Sequence, residues 1–415
     1  MSSIGGRSGR SRFKLVGSSS LCSPNHLELP MPLHHLFSPE ELPDLRARIC
    51  TIPDALKGPA DLNGCWIFGA GSMGIFVASY LRANGIEPAG FLDNRVGLLE
   101  QQVDGLPVFR PGSERVDHES WVLIAAKEAA SQLEAQCNSL GYSRSVRGWQ
   151  LIHAWADRTV VPGYVSSSKD FLDHWEDYEE AVPLFEDEGS LQVLKRAIQY
   201  QISCQDEDLP EYDPFEYFRP GFPLETVFAE TVDCGAFDGD TLKALRHLHP
   251  EGSGVYHAFE PDPVNFQRLS SFVASLPAEA SSRIHIYRLA VGAQRGQLCF
   301  EGNGGLGSRL RSNGEILVEV APLDEVLSTV EPTFLKMDIE GAEPEALLGA
   351  MGLIRKSLPT MAICVYHRPE HYVSIPKWIH SLSLGYKLQL RHHSRYFTGT
   401  VCYAIPPALQ HKVLV

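Results

Sequence analysis

The chain of 415 residues carries 51 acidic and 36 basic side chains, which gives a formal net charge of −15. This excess argues against general nucleic-acid binding, because such binding depends on lysine and arginine neutralising phosphates. No run approaches the roughly 20 consecutive apolar residues that a membrane-spanning helix needs, so we expect no membrane span. The length predicts two or three domains.

Nine cysteines are scattered along the chain, and none belongs to a C-x-x-C pair. This pattern argues against a zinc site and against a thioredoxin-like motif. Several of the cysteines lie in apolar runs, where a free thiol behaves as a small hydrophobic side chain. We therefore expect reduced, structural cysteines and a cytoplasmic location.

Changes in composition divide the chain into four segments. Residues 1–60 form a flexible tail and a proline-rich lead-in, and residues 61–160 alternate between strand-like and helix-like patterns. Residues 161–226 are acidic, and a helical pattern at Leu191–Tyr200 predicts a helical linker with solvated charges and no chemistry. Residues 227–415 alternate again between strand and helix, which predicts a second parallel α/β sheet.

The last two strand-like runs are joined by a short loop, which is typical of an antiparallel hairpin. The histidines of that loop, His392 and His393, are expected to be exposed. In chain order, the predicted strands are Cys65–Phe68, Pro88–Asp93, Trp121–Ala125, a strand ending at Val232, Val255–Glu260, Ile284–Val291, Thr333–Ile339, Pro359–Tyr366, Tyr386–Arg391 and Thr398–Ile405.

A first glycine-rich turn, residues 69–74, follows a predicted strand and begins a helix. Its pattern is G-x-G-x-x-G, and Asp93 lies 19 residues after Gly74, close to the spacing of the acid that binds the ribose of a dinucleotide. The turn contains no acidic residue, so its backbone N–H groups are free for a phosphate. Gly69, Gly71, Gly74 and Asp93 therefore form a candidate second nucleotide site, and the alternative is that this arrangement is kept for structure alone.

A second turn, Val232–Thr241, also ends a strand and begins a helix, and Glu260 closes the next strand. Asp233, Asp238 and Asp240 place three carboxylates in this turn. At an effective dielectric constant of about 20, two unit charges about 4 Å apart interact by about 4 kcal/mol, so a diphosphate would be repelled here. S-adenosylmethionine has an ammonium and a sulfonium, carries no phosphate, and offers ribose hydroxyls to Glu260. The charge of the second turn therefore favours S-adenosylmethionine over a dinucleotide.

The second half of the chain resembles the FkbM-type methyltransferases over residues 228–405, and its acidic linker and first α/β domain resemble longer members of that family. The resemblance implies a class I methyltransferase sheet with S-adenosylmethionine at the carboxyl ends of its strands. The segments that carry it are Val232–Thr241, Ala258–Pro263, Asn265-Phe266, Leu269, Leu289–Gly292, Leu323-Asp324, Phe334–Glu343 and Tyr366-His367.

The resemblance also implies that Asp233, Gly235 and Gly239 shape the methionine side of the site, with Glu260 on the ribose. One departure is that His371-Tyr372 stand where many members have an acidic residue and then an aromatic stretch. This departure weakens the expectation that the segment contacts the acceptor. The predicted cofactor-binding residues are Asp233, Gly235, Ala236, Phe237, Gly239, Thr241, Glu260, Pro261, Asp262, Ala290 and Asp338.

Methyl transfer to a hydroxyl requires the protein to orient the acceptor and to take its proton. The candidates Asp338, Glu340 and His367 follow central strands, at the edge where open α/β sheets bind ligands. His367 is the predicted general base, because the pKa of histidine lies closest to neutrality, and Asp338 would orient it or contact the cofactor. Alternatives are a histidine that caps a strand, acidic residues that suit a helix N-terminus, and a divalent metal held by these three residues.

The predicted fold class is α/β: a class I methyltransferase-like parallel sheet with an antiparallel C-terminal hairpin, preceded by a second Rossmann-like domain. The predicted function is S-adenosylmethionine-dependent O-methylation of a hydroxyl on a sugar, glycan or other small metabolite. One alternative is an NAD-dependent sugar-nucleotide oxidoreductase that uses the first domain. Another is a non-catalytic nucleotide-sensing or docking role for that domain.

Overall fold

The computed structural model describes residues 35–126, 129–161, 165–301, 309–310 and 316–413. Residues 1–34 of the predicted tail and lead-in (residues 1–60) lie outside the described residues. No helix in the described ranges is long and apolar enough to cross a membrane. The α-helices are Leu42–Ala47, Ser72–Ala83, Ala130–Ser139, Gly148–Trp155, Ser168–Asp173, Glu188–Ser203, Leu224–Val227, Asp240–Leu248, Pro263–Ala274, Ala278–Ser281, Leu323–Val326, Glu343–Leu348, Met351–Ser357, His371–Ser381 and Gln410–Val413.

The first sheet has six strands in the order β3-β4-β2-β1-β5-β6, and all of them are parallel except β3. Strands β2, β4 and β3 lie on one side of β1, and the later strands β5 and β6 lie on its other side. Such a reversal leaves a crevice at the carboxyl ends of the central strands. The strands are β1 Trp66–Phe68, β2 Gly90–Leu92, β3 Gln102–Val103, β4 Leu106–Phe109, β5 Val122–Ile124 and β6 Ser145–Arg147.

The second half contains a seven-stranded sheet in the order β16-β17-β15-β14-β7-β8-β9, in which only β17 runs antiparallel to its neighbours. The predicted fold class and the C-terminal hairpin are therefore confirmed. The strands of this half are β7 Glu230–Cys234, β8 Val255–Phe259, β9 Ile284–Tyr287, β10 Ala290–Val291, β11 Gly296–Glu301, β12 Arg309–Leu310, β13 Ile316–Ala321, β14 Phe334–Met337, β15 Thr360–Cys364, β16 Lys387–His392 and β17 Thr400–Ile405.

The prediction of one strand over Ile284–Val291 is wrong, because two strands of different sheets share this stretch. Its first part, β9, is an edge strand of the seven-stranded sheet, whereas β10 pairs with β13 in a four-stranded sheet ordered β10-β13-β11-β12. The partner strand β13 lies far along the chain, so the local hydrophobic pattern contains no sign of the change of sheet.

The acidic linker packs against the C-terminal hairpin along one face of the helix Glu188–Ser203. Leu194 and Ile198 of that helix are buried in the same apolar core as Leu390 of β16. The hydroxyl oxygen of Ser190, at the start of the helix, accepts a 2.8 Å hydrogen bond from the backbone N–H of Leu390. The linker is therefore joined to the sheet by both apolar and polar contacts.

The expectation that His392 and His393 are exposed is wrong. His392 is fully buried, with Nδ1 2.8 Å from the Thr400 hydroxyl and Nε2 2.7 Å from the Tyr396 carbonyl oxygen. His393 is also buried, and its Nε2 lies 2.8 Å from the Tyr403 hydroxyl. Burial lowers the pKa of both imidazoles to about 4. These histidines are neutral structural groups of the hairpin.

The eight cysteines in the described ranges are free thiols, and Cys299 is the one among them that is not buried. Burial raises the pKa of Cys65 to about 12 and that of Cys402 to about 12. The structure thus agrees with the prediction of structural thiols, and Cys22 lies outside the described residues.

An aromatic stack joins the hairpin loop to the first half of the chain. The Phe397 ring lies on Trp149 of the helix Gly148–Trp155, with ring centroids 3.8 Å apart and an interplanar angle of 13°. Tyr200 of the linker helix lies 5.9 Å from Phe397. Phe397 therefore contacts the first sheet's helix and the linker helix at once.

We expect Phe397→Ala to lower the free energy of unfolding by about 2 kcal/mol, because a half-buried ring loses its apolar contacts and its stacking. Urea titration followed by circular dichroism measures this difference. Phe215→Ala is the control, since Phe215 is 50% exposed and should change stability by less than about 0.5 kcal/mol. Equal effects of the two substitutions would contradict an anchoring role for the stack.

Candidate active site

A cavity of about 570 Å³ lies at the carboxyl ends of β7, β8 and β14. Its volume is typical of a small-molecule site, and its position is the edge at which open α/β sheets bind ligands. The predicted site residues that line it are Gly235, Phe237, Thr241, Glu260, Pro261, Ala290, Asp338 and Glu340. The cavity lining does not include the predicted residues Asp233, Ala236, Gly239, Asp262 and His367.

The turn after β7 has no room for a side chain at Gly235. Its φ is +81°, and a Cβ atom there would lie 1.9 Å from the carbonyl oxygen of Asp338. Phe237, two residues on, also has a left-handed φ of +49° and donates its backbone N–H to Glu260 Oε2 at 2.9 Å. The backbone of the turn is thus fixed between the end of β14 and the acid that follows β8.

Glu260 holds the turn while its carboxylate faces the cavity. Oε2 binds the turn, and Oε1 accepts the backbone N–H of Asp262 at 2.8 Å. Burial raises the pKa of Glu260 to about 7, although these two N–H groups lower it. Each carboxylate oxygen has two acceptor positions, so Glu260 keeps hydrogen-bonding capacity for a ligand. Asp262 itself is fully buried and caps the helix Pro263–Ala274 through the N–H groups of Val264 and Asn265.

A buried ion pair between β7 and β14 also holds this turn in place. The Lys336 ammonium lies 2.9 Å from Asp233 Oδ1 and donates a 2.7 Å hydrogen bond to the carbonyl oxygen of Gly235. Asp233 Oδ2 also accepts a 2.7 Å hydrogen bond from the Tyr256 hydroxyl. Burial opposes the charge of Lys336, but the carboxylates of Asp233 and Asp338 raise its pKa above the ordinary value. Sequence reasoning missed Lys336, although a lysine within an apolar strand was a usable signal.

His367 lies among carboxylates. Its Nδ1 is 2.8 Å from Glu343 Oε1, and its Nε2 is 3.3 Å from Asp338 Oδ1 and 3.8 Å from Glu340 Oε2. Burial alone would lower the pKa of His367, but the charge of Glu343 and the hydrogen bonds to Asp338 and Glu343 raise it well above the ordinary value. An imidazolium has no lone pair with which to accept a proton, so this geometry argues against the predicted general-base role.

Asp338 presents an ionised carboxylate to the cavity. Its Oδ1 accepts a 3.0 Å hydrogen bond from the Tyr366 hydroxyl in addition to the contact with His367. Burial would raise the pKa of Asp338, but the hydrogen bond from His367 and the charge of Lys336 lower it to about 2. In the described part of the chain, no group of three or more His, Cys, Asp or Glu side chains is arranged to hold a metal ion.

Part of the cavity wall comes from the acidic linker, to which sequence reasoning assigned no chemistry. Pro214, Glu216, Tyr217 and Phe218 line the cavity. The backbone N–H of Tyr217 donates a 2.9 Å hydrogen bond to the Tyr403 hydroxyl, which ties this stretch to β17. We call residues 213–219 the linker wall. Its run of aromatic residues within an acidic segment was a signal that a solvated linker does not explain.

The first glycine turn resembles the second in its contact with a following acid, but an arginine also binds that acid. Asp93 Oδ2 accepts the backbone N–H of Ala70 at 2.8 Å, as Glu260 does for the second turn. The Arg95 guanidinium binds both oxygens of Asp93, with Nε 2.9 Å from Oδ1 and Nη2 2.8 Å from Oδ2. A cavity of about 270 Å³ lies beside Gly69 and Gly71. The predicted ribose-binding acid is therefore already engaged by an arginine.

Steric demands explain two of the three glycines in that first turn. A Cβ at Gly69 would lie 2.5 Å from the Ala125 carbonyl oxygen, and one at Gly74 would lie 1.8 Å from the carbonyl oxygen of Gly69. The closest atom to a Cβ at Gly71 would be Arg95 Nη2, at 3.9 Å. Close packing of the strand, turn and helix therefore requires Gly69 and Gly74 without any ligand.

Comparison with known proteins agrees with this architecture. The crystal structure of the methyltransferase FkbM from Methylobacillus flagellatus KT matches 88% of this chain and 97% of its own chain, with a TM-score of 0.66 and 22% sequence identity. The methyltransferase domain of bacterial CtHen1 covers 43% of this chain and 90% of its own, but its TM-score of 0.27 and 12% identity support no structural conclusion. No curated protein matches the chain significantly.

The sheet order and the similarity of fold define a class I methyltransferase-like fold. Residues 233–388 match the family described as the methyltransferase FkbM domain. This part of the chain is therefore similar to the methyltransferase domain of that family.

We expect Asp338→Asn to change how stability depends on pH. Because the folded-state pKa of Asp338 is about 2 and its unfolded value is about 3.9, its ionised form stabilises the fold above about pH 4, and this contribution is lost as the pH falls toward 2. The difference in unfolding free energy between wild type and variant should therefore be largest near neutrality and shrink in acid. Urea titrations at a series of pH values measure it, and a constant difference would contradict the lowered pKa.

Proposed function

We propose that this protein is an S-adenosylmethionine-dependent methyltransferase that O-methylates a hydroxyl of a sugar or other small polar metabolite. The observation that carries the proposal is the cavity at the carboxyl ends of β7, β8 and β14, where the turn after β7 meets the buried carboxylate of Glu260. The match of residues 233–388 to the methyltransferase FkbM domain supports the same reaction class.

The residues of the cavity fit S-adenosylmethionine. Glu260 would bind the ribose hydroxyls, because it retains acceptor positions after binding the two backbone N–H groups. Asp240 and Asp338 also line the cavity, and their carboxylates would attract a ligand that carries an ammonium and a sulfonium.

When bound, S-adenosylmethionine supplies a methyl group on a sulfonium, and its transfer to the acceptor oxygen leaves S-adenosylhomocysteine and a proton. Asp338 orients the acceptor by accepting the hydrogen bond of its hydroxyl group. The carboxylate stays ionised at neutral pH, since its pKa is lowered to about 2. About a third of its side chain is exposed, so the released proton can pass on to water.

The acceptor end of the cavity suits an uncharged polyol. Glu216, Asp338 and Glu340 offer carboxylates that accept hydrogen bonds from hydroxyl groups, and Tyr217 and Phe218 offer aromatic surface to the C–H faces of a sugar ring. These carboxylates would repel an acceptor that carries a phosphate. We therefore favour a neutral sugar or glycan hydroxyl over a nucleotide sugar.

The NAD-dependent alternative gains no support from the first glycine turn. Asp93 is held by the Arg95 guanidinium on both oxygens, and Gly69 and Gly74 are required by packing alone. We propose a structural role for this turn.

Isothermal titration with S-adenosylhomocysteine tests the cofactor assignment. We expect the wild type to bind it and Glu260→Gln to weaken binding by about 10- to 100-fold, because hydrogen bonds to a charged group contribute about 1.5–3 kcal/mol. Asp93→Asn is the matched control, since Asp93 occupies the equivalent position after the first glycine turn and should leave the affinity unchanged. Tight binding of NAD together with no binding of S-adenosylhomocysteine would overturn the proposal.

Glu216→Gln tests the acceptor end. With labelled S-adenosylmethionine and a panel of sugars, glycans and nucleotide sugars, we expect the variant to raise the acceptor KM by about 10-fold, since a hydrogen bond to a charged group is weakened. The affinity for S-adenosylhomocysteine should stay within about twofold of wild type. Glu211→Gln is the control, because Glu211 is an exposed acid of the same linker that does not line the cavity. An unchanged KM in Glu216→Gln would remove the linker wall from acceptor binding.

A further inference from the structure

The buried carboxylate of Glu343 lies behind the proposed active site and is not part of the cavity wall. Its side chain is fully buried at the first position of the helix Glu343–Leu348. Oε1 lies 2.8 Å from His367 Nδ1, and Oε2 lies 3.4 Å from His371 Nδ1. One carboxylate is therefore shared by two histidines.

Glu343 also holds the backbone that carries the cavity carboxylates. Its Oε1 accepts the N–H of Ile339 at 3.0 Å and the more distant N–H of Gly341 at 3.4 Å. Between these residues, Glu340 has a left-handed φ of +56°, a conformation that is unfavourable for a residue with a side chain. The hydrogen bonds to Glu343 stabilise this turn and so fix the position of Glu340.

The imidazole of His367 connects Glu343 to the cavity. Its side chain is 6% exposed, and it separates Glu343 from Asp338 and Glu340, which do reach the cavity. A neutral imidazole carries one N–H group, so it could donate to Glu343 or to Asp338 but not to both. Donation to both carboxylates requires a proton on each ring nitrogen. Three carboxylates around one imidazole therefore favour the cation.

We propose that Glu343 is a positioning residue that keeps both ring nitrogens of His367 protonated, so that the positive charge of the ring holds the carboxylates of Asp338 and Glu340 at the cavity wall. This proposal depends on the proposed function in one respect, namely that this cavity is the site of methyl transfer. Glu343 acts through His367 and the turn, and it does not touch the substrate.

The surrounding charges are consistent with this role. The groups that face His367 are Glu343 from its helix, Asp338 and Glu340 from the turn after β14, and the neighbouring Tyr366, whose hydroxyl donates to Asp338. Lys336 adds a positive charge that acts on Asp338 from β14. Without Glu343, burial would favour a neutral imidazole, and Asp338 and Glu340 would repel each other across it.

Nitrogen-15 NMR of the full chain with labelled histidine rings tests the proposal, with the His367 signals assigned from the spectrum of His367→Asn. In the wild type at about pH 7.5 we expect both His367 ring nitrogens to have the shifts of a protonated imidazolium. In Glu343→Gln we expect the His367 pKa to fall by about one pH unit or more. Glu345→Gln, an exposed acid on the same helix, should leave the titration unchanged.

A neutral His367 in the wild type, or a His367 titration that is the same in Glu343→Gln, would overturn the proposal. If Glu343→Gln does not fold, the wild-type spectrum and Glu343→Asp still decide, because the aspartate keeps the charge and should retain the imidazolium. In activity assays, Glu343→Gln should lower kcat by about 10-fold or more with the affinity for S-adenosylhomocysteine within about twofold of wild type. Absence of S-adenosylhomocysteine binding in the wild type would count against the proposed function and leave the NMR result standing.

Discussion

The second half of the molecule depends on one buried ammonium group. Lys336 lies in a central strand, where burial of an unpaired charge would cost several kcal/mol. It is stabilised there by the carboxylate of Asp233 on the neighbouring strand and by the carbonyl oxygen of Gly235. The lysine thereby links β7 and β14 at their carboxyl ends and fixes the turn at which the cavity begins. The same positive charge helps to keep Asp338 ionised.

The two glycine turns of the chain share one local design but differ in the groups that contact the acid. In both, an acid at the end of the second strand accepts a backbone N–H from the turn after the first. Arg95 then engages Asp93, whereas the two hydrogen bonds described for Glu260 come from backbone N–H groups. This difference distinguishes an internal structural contact from an acid that retains capacity for a ligand.

The sequence predicted the fold class and the hairpin, because strand–turn–helix patterns and glycine spacing are local properties. It also predicted a site at the carboxyl ends of the strands, where the structure has a cavity. The surroundings of His367 were not predictable, since its partners Asp338 and Glu343 come from other elements and their distances depend on the packed sheet. An ordinary histidine pKa suggested a base, and three nearby carboxylates reverse that inference. The linker wall was missed for the same reason, because its place at the cavity depends on contacts with a distant strand, such as the hydrogen bond from Tyr217 to Tyr403 of β17.

The contact between Phe397 and Trp149 has a consequence for how the chain can be divided. A fragment that begins after the linker would leave the hairpin loop without its aromatic partners and would uncover the apolar side of β16 on which the linker helix lies. The same cut would remove Glu216 and Tyr217 from the cavity. A fragment with every residue that lines the cavity and every side chain of this core must therefore include the linker.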